Sequence, residues 1–443
     1  MATVKDNQQS VQTFPFSPSM NRRRFLSYAG ATLGTAALAA CGSSGIGGTA
    51  NGGGNSGLTI SQWYHQYGEV GTQQAAMRYA KEYSSVKSSV TVKMQWIPGD
   101  YGGKLGTALL GNDGPDIFES QLSIDKLKSG QVADLTDLYT PDIKSDFNPI
   151  SLNALTYNGK IYGVKMIDDM GLLYYRKSML SQANVQPPKT FDEVIDVAKK
   201  LTTKNVKGLF AGNDGGIGAL QAMALYSAGN GNDLIADNKV AFDVDRTALA
   251  WSKISDLNKA KVLLLGAPTD WWDPSAFTQG LVAMQWTGLW AMPAIKKALG
   301  DDFGVMPWPA LDAQGTPATF WGGWAEMINA KSKHIDEAKA FVKWLWLTNT
   351  KDQQDWSLSY GFHVPPRKSA AASATALQSG TAAQAAQYLN QYGHTQSPLW
   401  DAAMGTAMNN AVSNIVKNNA DAKSETSKCK QQCEAELNKL LNS

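Results

Sequence analysis

Cysteine and histidine are scarce in this chain, with three of the first and four of the second among 443 residues. His65, His334, His363 and His394 are scattered, and none shows His-x-x-x-His or His-Glu-x-x-His spacing, so no metal site is indicated. Cys429 and Cys433 fall one helical turn apart near the C-terminus, which without further ligands is no zinc motif. They read either as a strained pair within one helix or as two thiols. A Gly-x-Ser-x-Gly elbow is absent, and no dinucleotide fingerprint survives, because no Gly-x-Gly-x-x-Gly stands between a strand and a helix. The Gly-rich turn Asn213–Gly218 is not followed by Gly-Lys-Ser/Thr, so it reads as a plain helix entry. No cofactor is expected. Net charge is small as well, a formal +2. Lys5, Arg22, Arg23 and Arg24 sit near the N-terminus against a single Asp6, which leaves the rest close to neutral and without a nucleic-acid-sized basic field.

What the chain does have is bulk, aromatics and a distinctive start. Its length and 43% apolar content suit two domains better than one. Fourteen Trp accompany fifteen Tyr and thirteen Phe, and a large aromatic core accounts for some of them. Several stand in loop-like sequence beside Gly, Asp or Pro, as in Trp271-Trp272-Asp273 and Gly322-Gly323-Trp324. At the N-terminus, Arg22-Arg23 precedes a short, mildly apolar run, Phe25–Ala40, too weak for a stable membrane span. It ends Leu38-Ala39-Ala40-Cys41. The order resembles a twin-arginine export signal (1–40) joined to a lipoprotein cleavage site, with Cys41 lipidated. A general-pathway signal that happens to contain Arg-Arg remains open. Residues 41–57 are almost wholly Gly, Ser, Asn and Thr, a tether that cannot bury enough apolar surface to order itself.

The body then alternates. Leu58–Trp63, Val90–Trp96 and Pro115–Glu119 read as strands, with helical patterns at Thr72–Tyr83 and Tyr101–Leu110. That order predicts a parallel sheet covered by helices on both faces, with ligand beyond the C-terminal strand ends at Trp63-Tyr64-His65 and Glu119-Ser120-Gln121. Asn158-Gly159 marks a tight turn, and Lys160–Val164 and Leu172–Tyr175 flank Asp168-Asp169 in what reads as a first crossing to a second lobe. The second lobe continues with helix Phe191–Leu201, strand Lys207–Ala211, helices Ala219–Ala228 and Thr247–Asn258, and strands Leu281–Trp286 and Phe303–Pro309. Phe320–Asn329 and Tyr360–Arg367 read as two further crossings. Between them Lys333–Trp346 is an amphipathic helix whose Trp344 and Trp346 belong to the core.

These segments carry a resemblance. Gly-Lys-Ile-Tyr-Gly-Val (159–164), Leu-Tyr-Tyr-Arg-Lys (173–177) and Pro-Lys-Thr-Phe-Asp-Glu (188–193) look like the maltose-binding-protein-like extracellular solute-binding proteins of carbohydrate ABC importers. Gly114–Ile117, Ala276–Met284, Gly288–Trp290, Gly322–Trp324, Ala338–Leu345 and Gly361–Arg367 follow in the family's order. The resemblance implies an α/β, bilobed periplasmic-binding-protein fold of type II, two doubly wound lobes joined by a three-segment hinge. Lobe one comprises 58–167 plus 325–364 and lobe two 168–320 plus 365–443, with 321–324 a hinge crossing. It also implies an exported, monomeric, non-enzymatic receptor that delivers a sugar or oligosaccharide to an ABC permease. Such a receptor is tethered through Cys41 to the outer face of the cell membrane, or periplasmic in a two-membrane host. A non-sugar solute receptor and a secreted carbohydrate-active hydrolase are the alternatives.

Sugar rings present C–H faces to aromatics and hydroxyl rims to polar side chains. The stacking candidates are accordingly Trp63, Trp286, Trp290 and Trp324, with Trp271, Trp272 and Trp321 behind them. The polar candidates are His65, Glu119, Gln121, Asp169 and Arg367, and the sequence leaves open whether Asp168 or Asp169 faces the cleft. Arg367 reads equally as a hinge brace, and Asp116 as a structural cap.

Overall fold

The structure, a computed structural model, describes residues 57–229 and 231–442. The signal-like run, Cys41 and nearly all of the tether fall outside the described residues.

Nine principal strands build two sheets: β1 (Leu58–His65), β2 (Val90–Ile97), β3 (Ile117–Ser120), β4 (Val164–Lys165), β5 (Gly171–Tyr175), β6 (Lys207–Phe210), β7 (Val282–Gly288), β8 (Gly304–Met306) and β9 (Ala325–Ile328). The first sheet runs β2-β1-β3-β9-β4 and the second β8-β5-β7-β6. Each has its own core. Helix Thr72–Val86 turns Ala75, Ala76, Tyr79 and Tyr83, one helical stripe, onto the first sheet. Helix Phe191–Leu201 does the same for the second with Phe191, Val194, Ile195 and Ala198. It starts there because Thr190 Oγ1 accepts from Glu193 N–H at 3.3 Å, while the Glu193 carboxylate accepts from Lys189 N–H at 2.7 Å. On β5, Leu173 enters one core and Leu172 and Tyr174 the other, the period-two signature of a sheet covered on both faces. Each such buried apolar side chain contributes roughly 1.5–3 kcal/mol.

The chain ends on two long helices, Ala402–Asn418 and Ala422–Asn442, which pack on Val244–Lys259 of the second lobe. Cys429 and Cys433 are buried in that seam as free thiols, their sulfurs 3.9 Å apart in a weak thiol–thiol contact with no disulfide, so they pack as small hydrophobes. Among the described residues no helix is long and apolar enough to cross a membrane.

The expected parallel sheets are mixed ones. β1 pairs parallel with β2 and β3, and β7 with β6, but β9 runs antiparallel to β3 and β4, and β5 antiparallel to β7 and β8. The reversed strands, β5 and β9, are those the chain enters straight from a crossing. A chain arriving from the other lobe enters at the hinge end of the sheet, whereas a helical return delivers it to the far end.

Three crossings run side by side. Asp168 N–H and Val364 N–H exchange bonds with each other's carbonyls at 2.9 Å, and Gly322 N–H donates to Asp169 O at 2.8 Å. Met166 N–H donates to Trp324 O at 2.9 Å. The Asp168-Asp169 segment is therefore the middle strand of the hinge.

One buried carboxyl makes the first lobe sensitive to pH. Glu326, fully buried on β9, accepts from Tyr64 OH at 2.5 Å and from the Gln62 amide. Burial pushes its pKa from an ordinary 4.5 up to about 7. The fold thus favours the protonated acid: the stabilisation is complete below 4.5 and lost as pH rises through about 7. The gap corresponds to roughly 3 kcal/mol. Glu326→Gln is accordingly expected to match the wild type in thermal midpoint near pH 4 and to exceed it at pH 8. A difference that stays constant with pH would exclude the titration.

Candidate functional site

The C-terminal ends of β1, β3, β6 and β7 and the hinge converge on the space between the lobes, where an open sheet presents ligand-binding groups. A cavity of about 310 Å³ lies there. The first lobe supplies Ser120, Gln121 and Lys165, the second Gly218, Gln221 and Tyr226, and the hinge strand Phe320, Trp321, Gly322 and Gly323. His394 closes the wall, its ring stacked on Tyr226 at 4.2 Å and 7°. A larger hollow of about 480 Å³ lies between Thr72–Val86 and β2. It takes nothing from the second lobe or the hinge, so we assign the site to the interlobe cavity.

Three rings gather where β1 meets the hinge. His65 sits between Tyr67, centroids 3.9 Å apart, and Trp324, 4.6 Å apart. Glu119 is buried behind them: it contacts the His65 backbone N–H and Nδ1 and accepts from Tyr67 OH at 2.8 Å. It thus orients the two rings. Trp63 is half-buried against the first-lobe core. Gln121 is exposed at the cavity, with its amide 3.5 Å from Gly323 O.

On the second lobe Trp290 is half-buried between Phe320 (6.5 Å, stacked) and Trp271 (5.9 Å, edge-on), with its indole N–H donated to Trp272 O at 2.9 Å. Trp272 is half exposed. The site residues of the sequence reading are thus brought together in part. Gln121 and Trp321 line the cavity; Trp324 and His65 stack on each other at the first lobe and hinge, and Trp290 forms its own aromatic group on the second lobe, none of these three in the cavity wall.

Trp286 is a correction: it is 0% exposed, wedged in the second-lobe core edge-on to Trp308 at 5.8 Å. β7 is buried along its whole length, so its side chains meet core on both faces. Asp169 is buried in the hinge, its Oδ1 2.8 Å from His363 Nδ1, and His363 Nε2 lies 3.7 Å from Glu69. Burial opposes charging of that imidazole, but the Asp169 carboxylate and then Glu69 raise its pKa above the ordinary value. Arg367 braces the third crossing, donating to Asp146 at 2.8 Å and to Thr350 at 3.3 Å. Asp116 ties β1 to the end of β9 by accepting from Ser61 and Ser332 hydroxyls, a structural clasp.

Lys165, Gln221, Tyr226, Phe320 and His394 line the cavity and were missed. Only Lys165 left a signal, a cation inside the apolar run Gly163-Val164-Lys165-Met166-Ile167. The others meet only after the chain has crossed the hinge.

A family model described as bacterial extracellular solute-binding protein matches residues 74–386. The multiple sugar-binding protein of Streptococcus mutans is 25% identical over 283 residues, which cover 60% of this chain and 66% of that protein. The diacetylchitobiose binding protein DasA of Streptomyces coelicolor is 27% identical over 449 residues, covering 95% of this chain and 99% of that one. Among solved structures, the GacH receptor of Streptomyces glaucescens, determined unliganded and with acarbose, superposes with a TM-score of 0.71 at 23% identity, over 86% of this chain and 99% of that one.

Proposed function

Because this chain belongs to the bacterial extracellular solute-binding proteins, we propose that its interlobe cleft captures a sugar or oligosaccharide and delivers it to the permease of an ABC importer. The observation that carries this reading is the 310 Å³ cavity, whose wall draws aromatic and hydrogen-bonding side chains from both lobes and the hinge. A ligand touching both lobes binds the closed form better than the open one, and that difference drives closure. Phe320, Tyr226 and His394 of the cavity wall, with Trp290 stacked on Phe320 and Trp324 following Gly323, offer the apolar faces that sugar C–H surfaces require. Gln121, Gln221 and Lys165 offer the polar partners that hydroxyl rims require. Helix Ile217–Tyr226, which enters the cleft, has its first amides occupied by Asp214, which accepts from Gly216 and Gly218 N–H at 3.0 and 2.7 Å. A phosphate at that terminus would meet this carboxylate, which supports a neutral ligand.

The protein works as a receptor rather than an enzyme, exported by the Arg22-Arg23 signal and held to the membrane through lipidated Cys41. Palmitate labelling that is lost in Cys41→Ala tests the anchor.

Titration of the 41-truncated protein with maltotriose, cellotriose, mannotriose, xylotriose and N,N′-diacetylchitobiose, read by tryptophan fluorescence and calorimetry, tests the carbohydrate reading. A saturable change without hydrolysis is expected for at least one. Product release would make it a hydrolase, and silence with every sugar would remove the carbohydrate assignment. Trp290→Ala and Trp324→Ala are each expected to weaken the best ligand roughly 10- to 100-fold with little change in thermal midpoint. Unchanged affinity in both would take them out of the site.

A further inference from the structure

Lys165 stands in β4, next to the hinge, with 4% of its surface exposed, and it lines the interlobe cavity. An ammonium carries three N–H donors, and one buried without partners is costly. Among the described residues it meets a single carboxylate, Asp168 Oδ1, at a loose 3.7 Å. Asp168 cannot come closer without loss. Its Oδ2 accepts from Ser151 at 2.7 Å, and its backbone N–H and C=O are both bonded to Val364 in the hinge. The ammonium is therefore short of hydrogen bonds, with burial outweighing the nearby carboxylates, and the cavity it lines is where the missing acceptors can arrive.

We propose that Lys165 is a ligand-reading residue at the hinge-side floor of the cleft, donating to oxygen acceptors of a neutral polyol ring, and so determines which sugars are retained. This rests on the carbohydrate reading above and deepens it. The donation ties ligand to the β4 end of the first crossing. A bound ring there joins the first lobe's sheet to Tyr226 and His394 of the second lobe across the hinge itself.

Calorimetry of the wild type, Lys165→Met and the double variant Lys165→Met with Asp168→Asn tests this, using each of the five sugars named above. Met keeps the apolar stem, and the double variant removes both charges, so that Asp168 is not left buried alone. Both variants are expected to bind the best wild-type ligand weaker by roughly tenfold or more, while the double variant keeps a cooperative thermal transition. A loss below about threefold in Lys165→Met, or recovery of wild-type affinity in the double variant, overturns the proposal, because Lys165 would then serve only as the counter-charge of Asp168. Those outcomes leave wild-type sugar binding intact. If the wild type binds none of the sugars, the carbohydrate reading falls and this inference falls with it.

Discussion

Gly323→Ala is expected to destabilise the folded body by roughly 4 kcal/mol and to disturb the hinge before either lobe. Gly323 has φ +97°, a region that L residues rarely adopt. A Cβ there would stand 2.1 Å from Ile167 O and 3.1 Å from Asp168 Cα, both backbone atoms of the neighbouring crossing. No rotamer change relieves such a contact, so the crossings must separate. That breaks the bonds joining Met166 to Trp324 and Asp169 to Gly322. Gly280→Ala is the control: its φ is also positive, +74°, but nothing lies within 4 Å of the added carbon, so it reports the backbone term alone, about 1–2 kcal/mol. Urea unfolding of both proteins separates the terms. A Gly323→Ala loss no larger than that of Gly280→Ala would show that the crossings have room to spare.

Trp286→Ala is expected to cost roughly 3–5 kcal/mol without a specific effect on ligand affinity. The indole fills the centre of the second-lobe core against Trp308 and Phe320. It is packed so tightly that a Cβ on Gly171 would come within 2.2 Å of it. Removing it leaves a cavity that the surrounding sheet and helices fill only partly. The check is a pair of measurements, the urea midpoint and the ligand dissociation constant under conditions where the variant is folded. A variant that keeps its midpoint but loses the sugar would return the indole to the cleft.

The contrast between Trp286 and Trp290 shows what the sequence discloses. Both lie close to Gly288 in one short segment, and residue type alone cannot separate them. Position can: Trp286 lies within a continuous apolar run, the mark of a strand buried on both faces, and Trp290 lies past its end. Elements were legible for the same reason. Helices Tyr101–Leu110 and Phe191–Leu201 fall where the apolar spacing puts them, because their cores are local. Strand direction was not legible, since it depends on which lobe the chain has just left. The polar floor was hidden too: Lys165 meets its carboxylate three residues on, but the cavity wall opposite needs Tyr226 and His394, far along the chain. Glu119 was chosen for the right strand end, yet its buried role behind His65 and Tyr67 depends on the fold.

The place of β9 in the first sheet has a consequence for the birth of the protein. β9 lies between β3 and β4, so the sheet begun at Leu58 has a gap in its middle until residue 328 has been made. Synthesis at 5–20 residues per second leaves β3 waiting roughly 10–40 s for its neighbour. During that interval Ile117 and Phe118 stand at an open edge, and the four strands of the second sheet are completed first. The sheet that starts earliest on the ribosome is therefore the one that finishes last, although the second lobe still waits for its C-terminal helices. A nascent chain halted before β9 carries a finished second sheet and, in β3, an aggregation-prone open edge.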